Sequence, residues 1–133
     1  ENTAPDADLI SLTEEWFSSL HTNPMTLLFD IFRQPFPELH CGAGAVLKVI
    51  ADTPWGKRLM AQQPAFLEYL LNRSTEHDMD GRYVKYEIIS RLVRQPEALR
   101  GIFSDPEILK LREYHLQGPF YVRAETNVAL EEG

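Results

Sequence analysis

The sequence predicts an all-α fold made of repeated helical units, on three observations. Prolines preceded by a polar residue recur at Pro24, Pro54, Pro64, Pro96 and Pro106, and each opens an apolar pattern of helical spacing. Their spacing itself repeats: Pro54 and Pro64 are ten residues apart, Pro96 and Pro106 are ten apart, and the first pair maps onto the second with an offset of 42. No run of alternating apolar and polar residues is long enough to make a useful strand.

Taken in order, Leu9, Leu12, Trp16 and Leu20 form one stripe, with Ser11, Glu14, Glu15 and Ser18 opposite, so the first element is an amphipathic helix. Asn23 and Pro24 read as the N-cap and first residue of the next helix, which should stop before Pro35. Pro37 opens a third helix, in which Leu39, Ala43, Val46 and Ile50 make a stripe, with Leu47 beside it and Cys41, Gly44, Ala45 and Lys48 opposite. A glycine inside a helix costs about 1 kcal/mol relative to alanine, so Gly42 and Gly44 need a reason, and close approach of another helix supplies one. Short helices follow at Thr53–Pro54 and at Pro64. The polar stretch STEHDMDG, residues 74–81, is the longest expected loop. The helix over 82–94 carries Tyr86, Ile89, Leu92 and Val93 on its apolar face and Glu87, Ser90, Arg91 and Arg94 on the polar one, where Glu87 and Arg91 stand at a favourable i, i+4 spacing.

Within the 42-residue period, residues 39–51 correspond to 83–94, 55–62 to 97–103, and 65–73 to 107–115. A period near forty built from two or three helices is the sign of HEAT or armadillo repeats, whose units bury their faces only by stacking on neighbours. The expected organisation is a HEAT/armadillo-like helical repeat domain over 1–123 and a flexible acidic tail over 124–133. Gly118 should end the last helix, and Phe120, Tyr121 and Val122 should fold back in extended form to cap the terminal repeat.

A chain of 133 residues with 44% hydrophobic and 25% charged residues can bury a real core. Its single cysteine, Cys41, excludes an internal disulfide and makes a cysteine-built zinc site implausible. No apolar run approaches a membrane span and no signal peptide is recognisable, so the expected location is the cytoplasm, with the nucleus as a second compartment. The net charge of −7 argues against nucleic acid. Charge is uneven, at −6 over 1–52, +2 over 53–112 and −3 over 113–133, which suits a protein partner of mixed charge.

Three constellations could carry chemistry. Cys41 beside His40 suggests a nucleophile and base, but adjacent helix residues point about 100° apart, and a helical enzyme would have to bring His77 or His115 to the thiol by folding. Glu76, His77 and Asp78 are of metal-binding or proton-trading type, though no second cluster assists them, and capping of the next helix or solvation is the favoured reading. The polar face Glu87, Arg91 and Arg94, extended by Arg100, is the best candidate for docking an acidic partner. No phosphate loop, GxSxG elbow, HExxH helix or repeated Cys-x-x-Cys is present, and no catalytic, cofactor-binding or metal-binding residue is assigned.

QPFPELHC from Gln34, IADTPWGKRLM from Ile50, PAFLEYLLNRSTEHD from Pro64, KYEII from Lys85 and GPFYV from Gly118 resemble, in this order and at compatible spacing, the C-terminal part of the proteasome non-ATPase regulatory subunit five family. The resemblance runs from about Trp16 to Val122. It implies the last repeats of a HEAT/armadillo-like solenoid several times longer, which acts as a chaperone for assembly of the proteasome regulatory particle base. It also implies binding to the C-terminal domain of one base AAA ATPase subunit, and no catalysis. A generic helical-repeat adaptor for another protein is the alternative that the residues leave open.

Overall fold

Proline punctuates the chain where expected. The computed structural model describes residues 24–122 and, before them, Ser11, Glu14 and Glu15, which are helical and exposed. The stripe Leu9, Leu12, Trp16 and Leu20, the Asn23 cap and the tail over 124–133 lie outside the described residues. Seven α-helices follow within the described part: α1 (Pro24–Phe32), α2 (Pro37–Ala51), α3 (Pro54–Ala61), α4 (Pro64–Leu71), α5 (Met79–Leu92), α6 (Pro96–Leu99) and α7 (Asp105–Gln117), with a 3₁₀ turn at Arg73–Thr75. The only extended pairing among the described residues is an isolated bridge between Arg100 and Phe103.

Local chemistry fixes the helix starts. The Thr53 side chain accepts from the Gly56 N–H at 3.0 Å, and Asp78 accepts from the Gly81 N–H at 2.7 Å. Ser104 and Glu107 form a reciprocal capping box on α7. At the other end of α7, Gly118 takes φ +89°, open to glycine, and its N–H returns to the carbonyls of Tyr114 and His115, so the helix ends there.

The expected repeat is visible in the element order, since an offset of 42 carries Pro37 to Met79 and Pro54 to Pro96. The first unit is α2, α3, α4; the second is α5, α6, α7. The units lie side by side, with α2 packed along α5 and α4 against α7, while α1 lies against α2. The element expected over 97–103 is only the one turn of α6, because the chain turns at Gly101, whose φ is +88°. The core between the layers holds Phe32, Leu47, Phe66, Leu70, Ile88 and Leu111, all fully buried. Phe29 meets Phe66 edge to face at 5.3 Å.

Two expected faces are corrected. On α2 the buried residues are His40, Ala43, Gly44, Leu47, Ile50 and Ala51, whereas Leu39 and Val46 are 47% and 46% exposed. The helix is rotated relative to its apolar stripe because His40 turns inward and because Gly44 is where α5 comes closest. A Cβ on Gly44 would run into the Val84 side chain, while one on Gly42 would meet nothing within 4 Å. On α5, Lys85 and Ile88 join Ile89 and Leu92 in the interior, and Tyr86 and Val93 are only partly covered.

The tail is also less buried than expected. Phe120 and Val122 remain 45% and 69% exposed. Arg73 holds the segment instead: its guanidinium lies 5.3 Å from the Tyr121 ring and 3.8 Å from the Tyr114 ring, and donates to the carbonyls of Tyr114 and Pro119. Among the described residues no helix is long and apolar enough to cross a membrane.

Candidate docking face and buried ionic centre

Two polar assemblies stand out, one inside the fold and one at its surface. The inner one centres on Glu76, a residue that sequence reasoning placed in a solvated or capping loop and that is in fact buried. Its Oε1 lies 3.1 Å from His40 Nε2, and its Oε2 accepts from Thr75 at 3.0 Å and from Tyr69 at 3.3 Å, with Lys85 Nζ at 3.4 Å. Lys85 Nζ donates to the Tyr69 and Asn72 carbonyls at 2.7 and 3.0 Å and to the Thr75 hydroxyl. The His40 ring stacks on Phe32, with centroids 4.3 Å apart, and its Nδ1–H donates to the Phe32 carbonyl at 2.7 Å.

Charge follows from this geometry. Burial works against the ionised Glu76, but its hydrogen bond to His40 and the Lys85 charge prevail and hold its pKa down to about 2. Burial likewise depresses His40, and the bonds to Glu76 and the Phe32 carbonyl overcome it, for a net rise. Burial lowers Lys85 to about 8, against the pull of Glu76. A second interior cation, Lys57, is lowered to about 8 by burial and donates to the carbonyls of Ala51, Arg91 and Leu92 at 2.7, 2.8 and 3.3 Å. These are the groups that join the two units. Lys85 had a signal in the sequence, since it falls on the same helical stripe as Ile88, Ile89 and Leu92; Lys57 had none.

The remaining two of the Glu76, His77, Asp78 trio diverge from Glu76: His77 is exposed and Asp78 caps α5. Among the described residues no group of three or more His, Cys, Asp or Glu side chains could hold a metal ion. Cys41 is half-buried, and its thiol is pushed up by burial and by the carboxylates of Asp80, Asp78 and Glu76, the reverse of what an activated thiolate needs. The His40 imidazole is committed to Phe32 and Glu76, and that of His115 stacks on Tyr86 with centroids 5.4 Å apart.

At the surface, the structure does place Glu87, Arg91 and Arg94 together, but not in the expected pairing. Glu87 turns to Lys48 at 3.2 Å, and Arg91 and Arg94 both turn to Asp52 at 3.1 Å. The expected i, i+4 pair gives way to partners on the neighbouring unit because α2 lies directly beside α5. Arg100, past the end of α6, is exposed. Beyond Arg94, a groove of about 530 Å³ runs between α5 and α7, lined by Ser90, Val93, Arg94, Arg112, His115 and Leu116.

Comparison with known proteins gives the chain a family. The family described as proteasome non-ATPase 26S subunit matches residues 1–133. The 26S proteasome non-ATPase regulatory subunit 5 of Homo sapiens is 44% identical over 124 residues, covering 93% of this chain and 24% of the relative. Its counterpart in Bos taurus shows the same identity and coverage, and that of Drosophila melanogaster is 29% identical over 133 residues, 25% of its length. The chain thus spans about a quarter of the length of the curated relatives it matches. No solved structure matches it. With a match over its whole length, the chain belongs to the proteasome non-ATPase 26S subunit family.

Proposed function

We propose that the chain is part of a non-enzymatic chaperone for assembly of the proteasome regulatory particle base, and that it binds the C-terminal domain of a base AAA ATPase subunit. The observation that carries this reading is the family match over residues 1–133, to proteins named as non-ATPase subunits of the proteasome. The helical repeat supports it, since stacked helices present extended surfaces for protein partners. The docking face is assigned to Glu87, Arg91, Arg94 and Arg100, with Arg94 and Arg100 the most available because both are exposed. The proposed location is the cytoplasm, with the nucleus as a second compartment.

The test is co-purification of each base ATPase subunit with this chain and, in parallel, with the longer protein. Capture of one subunit, weakened by Arg100→Glu, is the expected result. Failure of the longer protein to capture any of them rejects the reading, and capture by the longer protein alone moves the docking face upstream of this chain.

A further inference from the structure

Where α2 meets α5, three positions of the first unit make the joint. Gly44 admits Val84, Lys48 holds Glu87 at 3.2 Å, and Asp52 holds Arg91 and Arg94 at 3.1 Å. The 42-residue offset carries these three positions to Tyr86, Ser90 and Arg94 of the second unit. Ser90 and Arg94 line the groove between α5 and α7, and Tyr86 stacks on its His115 wall with the rings 9° from parallel. The second unit therefore presents a groove at the place where the first unit receives a helix.

The groove is not a copy of the first joint. Tyr86 stands where Gly44 leaves room, so a helix cannot come as close as α5 comes to α2. Arg94 stands where Asp52 attracts arginines, and Arg112 adds a second positive charge where the first unit has Leu70. A further repeat of the same kind, bringing arginines at the positions of Arg91 and Arg94, would meet like charge.

We infer that this groove takes an acidic amphipathic helix of a partner protein. Its carboxylates pair with Arg112 and with Arg94, whose bond to Asp52 uses Nη1, and its apolar side covers Val93, Leu116 and the Tyr86–His115 stack. Leu116 is 85% exposed, and Leu109, two turns back on α7, is 68% exposed. Leu109 lines a smaller depression with Arg100, Asp105 and Arg112, and Arg112 is common to this depression and the groove. Charge complementarity and the position of the α2–α5 joint both select this occupant. The inference rests on the docking reading above only for which protein supplies the helix.

The probe is a stapled helical peptide with a leucine face flanked by glutamates, and the control is the same peptide with lysine for each glutamate. Titrated into the whole chain, the acidic peptide should shift amide resonances around Ser90 to Arg94 and Arg112 to Leu116, and the lysine peptide should not. Arg112→Glu and Leu116→Ser should each weaken binding by about tenfold. Their side chains make no hydrogen bond or ion pair among the described residues, so spectra elsewhere stay unchanged. Shifts elsewhere, no binding, or equal binding of the lysine peptide overturns the inference. So does binding that appears only when Glu125, Glu131 and Glu132 are changed to Gln, because the groove then belongs to residues 124–133 of the same chain. Peptide binding in the groove, with no ATPase subunit captured by the longer protein, upholds the groove and rejects the proposed partner.

Discussion

The Cβ that Gly44 lacks would stand inside the Val84 side chain, and it would also come within 3.1 Å of Phe32 Cε1. This absent atom sets the distance between the two helical units. Alanine at position 44 gains up to about 1 kcal/mol in helix propensity but overpacks the joint by about 1–3 kcal/mol, so packing wins. Gly44→Ala should lower the denaturant midpoint, whereas Gly42→Ala, with open space around it, should raise it by the equivalent of about 0.5–1 kcal/mol. Equal midpoints would show that the joint relaxes.

The His40–Glu76 contact predicts a stability optimum in pH. Glu76 has a folded pKa of about 2, below its ordinary 4.5, so its contribution is present above pH 4.5 and lost as pH falls toward 2. His40 is raised above 6.5, so its contribution is complete below 6.5 and lost as pH climbs through the folded value. Together they stabilise most between pH 4.5 and 6.5. Melting temperatures should fall in the parent below pH 4.5 and from pH 6.5 up to about 8, where the depressed Lys57 and Lys85 begin to add stability. They should vary much less in Glu76→Gln, which is less stable inside the window and converges on the parent as Glu76 is protonated. An equally curved profile in that variant would assign the pH dependence to other groups.

Cys41 should react slowly. Burial and three nearby carboxylates disfavour its thiolate, so iodoacetamide at neutral pH should modify it more slowly than a free thiol. Asp80→Asn should speed the reaction, because it removes the first of those carboxylates. Rapid modification of the native parent would instead reopen the reading of Cys41 as a nucleophile.

Arg73 should account for most of what the tail contributes. Since Phe120 and Val122 are exposed, removal of everything after Gly118 should cost only the Arg73–Tyr121 contact and the Pro119 hydrogen bond, about 0.5–1 kcal/mol, or a fall of about 2–4 °C in Tm. Removal after Arg123 should leave Tm unchanged. A fall of ten degrees or more for the first truncation would mean that the aromatic residues are buried after all.

The helix starts and the repeat were legible because both depend on local chemistry, a proline with its cap at Thr53 and a fixed offset between units; at Pro106 the cap lies one residue further back than the rule places it, at Ser104. It misplaced the buried face of α2 because apolar periodicity counts Leu39 and Val46 as interior and His40 as exterior. The partners that make the interior hospitable to an imidazole, Glu76 and the Phe32 carbonyl, lie on other elements. The pairing of Glu87 and Arg91 failed for the same reason: the rule for neighbours on one helix carries no information about Lys48 and Asp52 on another. Arg91 and Arg94 were legible as part of a charged face, but the groove beside them depends on α7, whose placement no local pattern records.

Lys57 gives one ammonium to the last carbonyl of α2 and to the closing carbonyls of α5, helices that belong to different units. Fraying of either end leaves this buried ammonium short of an acceptor, so the shared nitrogen couples the two ends. The last turns of α2 and α5 should therefore open as one cooperative event, and their amides should exchange with solvent at a common rate although some forty residues separate them in the chain. A pair of stacked helices would otherwise loosen from its ends independently; here the two ends share a single lock.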